Sequence, residues 1–199
     1  WLDEKGREVH YHPDSGNIAT LGRRTEMTID DLPDPDAEVV IDPSELEIVR
    51  GVVERLGDTH FVIGRSPADG TFPWGASGSM EDFLVRMLTE PAFVERAIAA
   101  ETHRAIAWCE ALLDAGCDAV MTCDDFSDNR GPIMGPDLFR RYMLPALRRQ
   151  ADAIHARGGL FVKHTDGNVW PILGDMIEAG IDGWHGIQPS IGMDLRLLK

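Results

Sequence analysis

The chain has 199 residues, 43% hydrophobic and 27% charged, and its 34 acidic against 19 basic side chains leave a formal net charge of −15. That is enough apolar material for one ordinary core, while the acidic excess argues against nucleic acid or an anionic membrane surface as partner. No apolar run reaches the length of a membrane span, and the opening WLDEKGREVHYH does not read as a signal peptide.

Three cysteines, Cys109, Cys117 and Cys123, show no CxxC spacing. Such a sparse, odd count fits a reducing cytoplasm better than a disulfide framework. The sequence opens on Trp1 and stops at Lys199 inside MDLRLLK, which reads as the first turn of a helix. The expectation is a fragment of a longer protein.

Residues 1–45 are polar and rich in Asp, Pro and Gly, an irregular N-terminal stretch of a single domain. Within it, 9–12 and 17–21 flank PDSG and read as a hairpin. His10 and His12 there read as exposed side chains rather than ligands. The spacing Leu46, Val49, Val53, Leu56 predicts a helix over 44–56, capped by Ser44 and stopped at Gly57. HFVIG (60–64) reads as a strand that delivers Arg65, Ser66 and Asp69 into a loop rich in Gly, Pro and aromatics. Ser79 caps a helix over 80–89, and Pro91 opens a second that runs to Asp114.

CDAVMTC (117–123) is the next strand and ends in Asp124, Asp125 and Asp128. Gly135-Pro136 opens a further helical segment, and Pro145 inside it predicts a kink or two abutting helices. LFVKHTDGN begins as a buried strand bounded by Gly158-Gly159 and turns polar at Lys163, His164 and Asp166. Asn168 suits the cap of a helix over 168–179, and IDGWHGI (181–187) is a last strand carrying His185 and Gln188.

The boundaries ERLGDTHFVIG, LLDAGCDAVMT, HARGGLFVKH and IEAGIDGWHG repeat one pattern: helix, glycine stop, short apolar strand. Strands alternating with helices imply a parallel sheet with right-handed crossovers. The fold class is therefore α/β, a partial (β/α)8 TIM-type barrel with outer helices. An open doubly wound sheet is the competing architecture, weakened by the lack of a GxGxxG or Walker-type loop.

In such a barrel the C-terminal strand ends share one face, and that face carries the chemistry. Arg65, Asp124, Lys163, Asn168, His185 and Gln188 are the candidates there for binding substrate, and Asp125, His164 and Asp166 for catalysis. Alternation forbids Lys163 and His164 from both facing the barrel axis, and His164 is the choice. His164 and Asp166 can offer two ligands to a divalent metal, with Asp125, His185 or a residue outside this stretch as a third. Without a metal, Asp125 beside Arg65 can serve as general acid or base.

The stretches MTCDDFSDNRGPIMGPDLFRRYMLPALRRQADAIHARGG, LFVKHTDGNVWPIL and EAGIDGWHGIQPSIGMDLRLLK resemble the uroporphyrinogen decarboxylase family. That (β/α)8 superfamily also contains corrinoid- and coenzyme-M-dependent methyltransferases. The resemblance implies an enzyme, a small-molecule substrate, a corrinoid methyl donor on a partner protein, and a homodimer. Its methyltransferase branch carries His-x-Cys-Gly on the third strand, whose His and Cys bind zinc. His164 matches that His, while Asp166 stands where the Cys would be, which turns the expectation from zinc toward zinc or another divalent metal. The loop TFPWGASGSMEDF lacks the tyrosine of the decarboxylases. The expected function is therefore metal-assisted methyl transfer, with porphyrinogen decarboxylation or a non-catalytic ligand-binding barrel as alternatives.

Overall fold

The computed structural model describes residues 27–198, together with the backbone of Glu8–His12 and Asn17–Leu21. Those two N-terminal segments are strands β1 and β2, paired antiparallel with Glu8 opposite Leu21 and His12 opposite Asn17. The turn expected between them, 13–16, lies outside the described residues.

Helix α1 (Glu47–Leu56) leads to β3 (Ile63–Arg65), α2 (Met80–Thr89), α3 (Pro91–Asp114) and β4 (Ala119–Cys123). A short α4 (Pro136–Leu138) precedes α5 (Leu144–Ala156), β5 (Leu160–His164), α6 (Leu173–Glu178) and β6 (Gly183–His185). The four strands β3-β4-β5-β6 lie side by side in chain order, every neighbour parallel. This is the progression of one side of a (β/α)8 barrel, as the helix–glycine–strand repeat implies.

Register decides which side chains share a face. Gly64, Val120 and Phe161 pair across the sheet, and Thr122, Lys163 and Trp184 pair one step further on. This face lies under the helices, with Val120, Phe161 and Thr122 all 0% exposed. Helix α3 buries Phe93, Val94, Ala97, Ile98, Thr102, Ala105, Cys109 and Leu112, at three- and four-residue steps, and α5 buries Ala146, Leu147, Gln150, Ala151 and Ile154. The opposite face is open. It carries Ile63 and Leu160 at the bottom and Cys123, His164 and His185 at the top.

The bottoms of the strands are stitched by the aspartates of the repeated Gly-x-Asp step. Asp118 accepts from the Val62 amide at 2.7 Å, and Asp182 accepts from the Phe161 amide at 2.7 Å. Burial pushes the Asp182 carboxyl up, but the Phe161 amide and His155 outweigh it and hold the group below the usual range. Each aspartate satisfies a backbone donor near the start of the preceding strand.

Several sequence-based bounds shift. Asp42, not Ser44, caps the first helical turn, accepting from the Ser44 amide at 2.9 Å, and that turn is a 3-10 helix (Pro43–Leu46). The expected kink at Pro145 is a π-helical stretch, Phe139–Met143, directly ahead of α5. Proline has no N–H and crowds the carbonyl four residues back, so the helix opens by one residue there. The helix expected over 168–179 shrinks to α6. Asn168 Oδ1 accepts from the Trp170 amide at 3.2 Å and closes a turn, and Pro171 biases Trp170 away from helical backbone. The outer strands are short, three residues each, because their flanks leave the ladder to form loops.

The two faces give opposite outcomes for neighbouring substitutions. Phe161→Ala removes a side chain that is 0% exposed and should cost about 3–5 kcal/mol, whereas Leu160→Ala, at a 43% exposed position, should cost roughly 1 kcal/mol or less. Urea unfolding of the two variants beside wild type checks the difference.

Candidate functional site

At the top of the open face, β5 and β6 place His164 opposite His185, and β4 places Cys123 beside His164. The two imidazoles meet at Nδ1, 2.7 Å apart, with ring centroids 4.9 Å apart and planes tilted by 43°. His164 Nε2 points the other way, 3.7 Å from Asp125 Oδ1. That same Asp125 oxygen accepts from the Asp166 amide at 2.8 Å, which ties the loop after β4 to the loop after β5.

Asp125, His164 and Asp166 each bring one ligand atom to within 4.8 Å of the others. Ligands about 2.1 Å from a tetrahedral ion sit ~3.4 Å apart, so three such donors could meet one ion after a small closure of the side chains. The donor set, one imidazole and two carboxylates, suits zinc or a harder divalent ion. Asp125 brings the third potential ligand atom to the cluster, which does not include His185.

Loop geometry over-determines this arrangement. Gly186 has a φ of +102°, and a Cβ there would lie 2.5 Å from the Thr165 carbonyl oxygen and 2.8 Å from Asp166 Oδ1. Gly167, at φ +89°, would drive a Cβ to 2.5 Å from the Ser127 carbonyl oxygen. Only glycine allows these backbones to approach so closely. Around them, Thr165 Oγ1 accepts from the Phe126 amide at 2.8 Å, Gln188 Oε1 from the Gly167 amide at 2.7 Å, and Trp184 Nε1 donates to the Thr165 carbonyl at 2.9 Å.

The other rim residues take different places. Arg65 shares the open face and its Nε donates to Cys123 Sγ at 3.4 Å, a partner that sequence spacing gave no sign of. Asn168 and Gln188 use their side chains on backbone: Asn168 Nδ2 reaches the Arg130 carbonyl at 3.3 Å, and Gln188 braces Gly167. They position loops around the cluster. Lys163 points away from the open face. It is 0% exposed, lies under the helices and pairs with Asp69, with its ammonium 4.5 Å over the Phe126 ring. Placing Lys163 on the shared rim is thus corrected: alternation sends it to the face opposite His164.

Asp69 is the residue that spacing undervalued. Besides Lys163, its carboxylate takes the amide and hydroxyl of Thr71, and its carbonyl accepts from Gln150 Nε2 at 2.7 Å. Asp124 completes the group. Burial pushes its carboxyl up to about 8, Asp69 adds to the push, and Lys163 offsets part of it. Asp124 also borders a cavity of about 920 Å³ whose walls include Leu32, Phe72, Trp74, Ala97 and Arg104. That cavity does not include Asp125, His164 or Asp166. The neighbours Asp124 and Asp125 therefore serve different surroundings, one a buried charge group and the other the open-face cluster.

A profile of the family described as uroporphyrinogen decarboxylase (URO-D) matches residues 2–193. Two curated methylcobamide:CoM methyltransferases (MtaA) are similar to the chain, from Methanosarcina barkeri at 27% identity and from its strain Fusaro / DSM 804 at 25%. In both cases the match covers 75% of this chain but 42% of the relative, so the chain spans under half of their length. A solved methyltransferase structure from Methanosarcina mazei superposes with a TM-score of 0.65 at 22% identity, over 90% of this chain and 52% of the other. That likeness establishes the partial TIM-type barrel. Among the described residues no helix is long and apolar enough to cross a membrane.

Two outcomes follow from the buried charge group. Asp124 holds its proton in the folded state up to about pH 8 but releases it near the ordinary carboxyl value of 3.8 when unfolded. The folded state therefore binds more protons in between, and this group's contribution to stability declines as pH rises from about 4 to 8. Asp124→Asn should flatten that decline, read as unfolding midpoints at pH 5 and pH 8. Lys163→Met leaves Asp69 buried without its cation and should cost about 3–5 kcal/mol, while the double variant Lys163→Met/Asp69→Asn should recover part of the loss.

Proposed function

Because the chain belongs to the uroporphyrinogen decarboxylase (URO-D) family, we propose that it acts on the methyltransferase side of it. The reaction is metal-assisted transfer of a methyl group from a corrinoid on a partner protein, or from a methylated small molecule, to an acceptor. The observation that carries this reading is the convergence of Asp125, His164 and Asp166 on one point of the open face. The names of these relatives, methylcobamide:CoM methyltransferases, support the reaction class.

A divalent ion held there supplies Lewis acidity, lowering the pKa of a coordinated thiol or water. His164 offers its neutral Nε2, since Nδ1 is engaged with His185. Asp166 replaces the thiolate that the family resemblance leads one to expect, which shifts preference toward a harder ion or weaker zinc binding. Asp125 is an exposed member of the cluster, and the carboxylate oxygen it does not give to an ion can accept the proton that an acceptor loses on becoming a nucleophile. Arg65 and Cys123 border the same face. The reading places the protein in a reducing cytoplasm, where Cys109, Cys117 and Cys123 remain free thiols.

Decarboxylation is the second reading, and one observation favours it. Asp124, with its pKa raised to about 8, keeps a proton near neutral pH beside the large cavity, as a carbon-protonating acid must.

Metal analysis of the intact protein beside His164→Ala, Asp166→Ala and Asp166→Cys tests the first reading. Wild type should hold a divalent ion, the two alanine variants should lose it, and Asp166→Cys should tighten zinc. Equal metal content in all four proteins ends the metal reading. Porphyrinogen turnover that disappears in Asp124→Asn would instead establish the second.

A further inference from the structure

The His164–His185 contact asks for a proton count. Two neutral imidazoles whose Nδ1 atoms are 2.7 Å apart share one proton between them, because two N–H groups would collide and two lone pairs would repel. One ring donates and the other accepts, and the choice fixes what His164 presents at Nε2.

Suppose His185 donates. His164 then carries its hydrogen on Nε2, and that N–H needs an acceptor. The Asp125 oxygen facing it stands at 3.7 Å, beyond hydrogen-bond reach, and already accepts from the Asp166 amide. Suppose His164 donates instead. Its Nε2 then offers a lone pair on the side of Asp125, 3.7 Å from Oδ1, in the cluster where His164, Asp125 and Asp166 each bring one ligand atom within 4.8 Å of the others. That convergence of donor atoms is what a cation requires.

We infer that His185 is the positioning residue of the metal site: by accepting the Nδ1 hydrogen of His164 it holds that ring in the tautomer and orientation whose Nε2 ligates the ion with Asp125 and Asp166. The inference rests on the metal reading proposed above. It assigns His185 a role distinct from substrate binding and from direct ligation. Direct ligation fits less well, because His185 is not part of the three-residue cluster.

The backbone shows that His185 is built to stay. It pairs in register with His164 across β5 and β6, and its carbonyl accepts from the Thr165 amide at 3.1 Å. Gly186 follows at φ +102°, pressed against Thr165 and Asp166 with no space for a side chain. The acceptor is thereby fixed to the same loop that carries the ligand Asp166. Outer partners of this kind set ring orientation and ligand basicity, and their loss typically weakens metal binding by about 10–100-fold.

The test uses zinc itself, titrated into the intact apoprotein in competition with a chromophoric chelator. His185→Leu keeps bulk but has no acceptor. His185→Asn restores one, because its side-chain oxygen occupies the branch that Nδ1 occupies in histidine. His185→Leu should weaken zinc by about 10–100-fold, and His185→Asn should recover most of that loss. X-ray absorption of the zinc-loaded wild type should report one imidazole among oxygen donors.

Wild-type affinity in His185→Leu would overturn the inference, as would an Asn variant no better than Leu. Two imidazoles on the ion would make His185 a ligand and overturn it as well. His164→Ala separates the two levels. If it binds zinc like wild type, the metal reading fails and this inference with it. If it loses zinc while His185→Leu keeps it, the metal reading stands and only the role of His185 is refuted.

Discussion

The buried pair of Lys163 and Asp69 fixes how the central strand sits, and the site depends on it. A lysine at 0% exposure tolerates no other arrangement, because an unpaired ammonium under two helices would be strongly destabilising. Asp69 comes from the loop after β3 and Lys163 from β5, so the pair also ties the tops of non-adjacent strands. Since side chains alternate along a strand, Lys163 held beneath the helices obliges His164 to face the open side. A one-residue slip of β5 would bury the histidine and expose the lysine.

The sheet is organised differently at its two ends. At the bottom, Asp118 and Asp182 repeat one device, each accepting from a backbone amide of the preceding strand. These are stability contacts made at the same step of successive helix–strand units. At the top, the contacts are all different. Asp125 reaches the Asp166 amide, Thr165 the Phe126 amide, and Gln188 the Gly167 amide. Irregular, specific cross-loop bonds of this kind hold side chains where regular secondary structure cannot, which is how parallel barrels assemble chemistry from several strand ends.

The adjacent carboxylates of Asp124 and Asp125 show how strongly surroundings divide one residue type. Asp124 turns toward Asp69 and Lys163, where burial and a second carboxylate favour its protonated form. Asp125 remains exposed beside His164 and Asp166, available to an ion or a proton. A covalent step of one residue thus separates an acid held near neutrality from a candidate ligand, and each of the two functional readings uses one of them.

The sequence alone determined the parallel α/β architecture, because helix–glycine–strand boundaries recur four times and local patterning of that kind needs no tertiary information. It also showed polar side chains gathering at the strand ends and Lys163 and His164 on opposite faces, since alternation is a local rule; that Lys163 is the buried one follows from its pairing with Asp69. It could not decide which polar rim residues meet. Asn168 and Gln188 have the residue types of ligand contacts but bond to backbone, while Asp125, set 39 positions before His164, closes the cluster. Nor could it show that Lys163 pairs with Asp69, that Arg65 reaches Cys123, or that His185 abuts His164 through Nδ1. Those outcomes depend on strand register and on the paths of loops that pack against one another, and both are set by contacts between segments far apart in the chain.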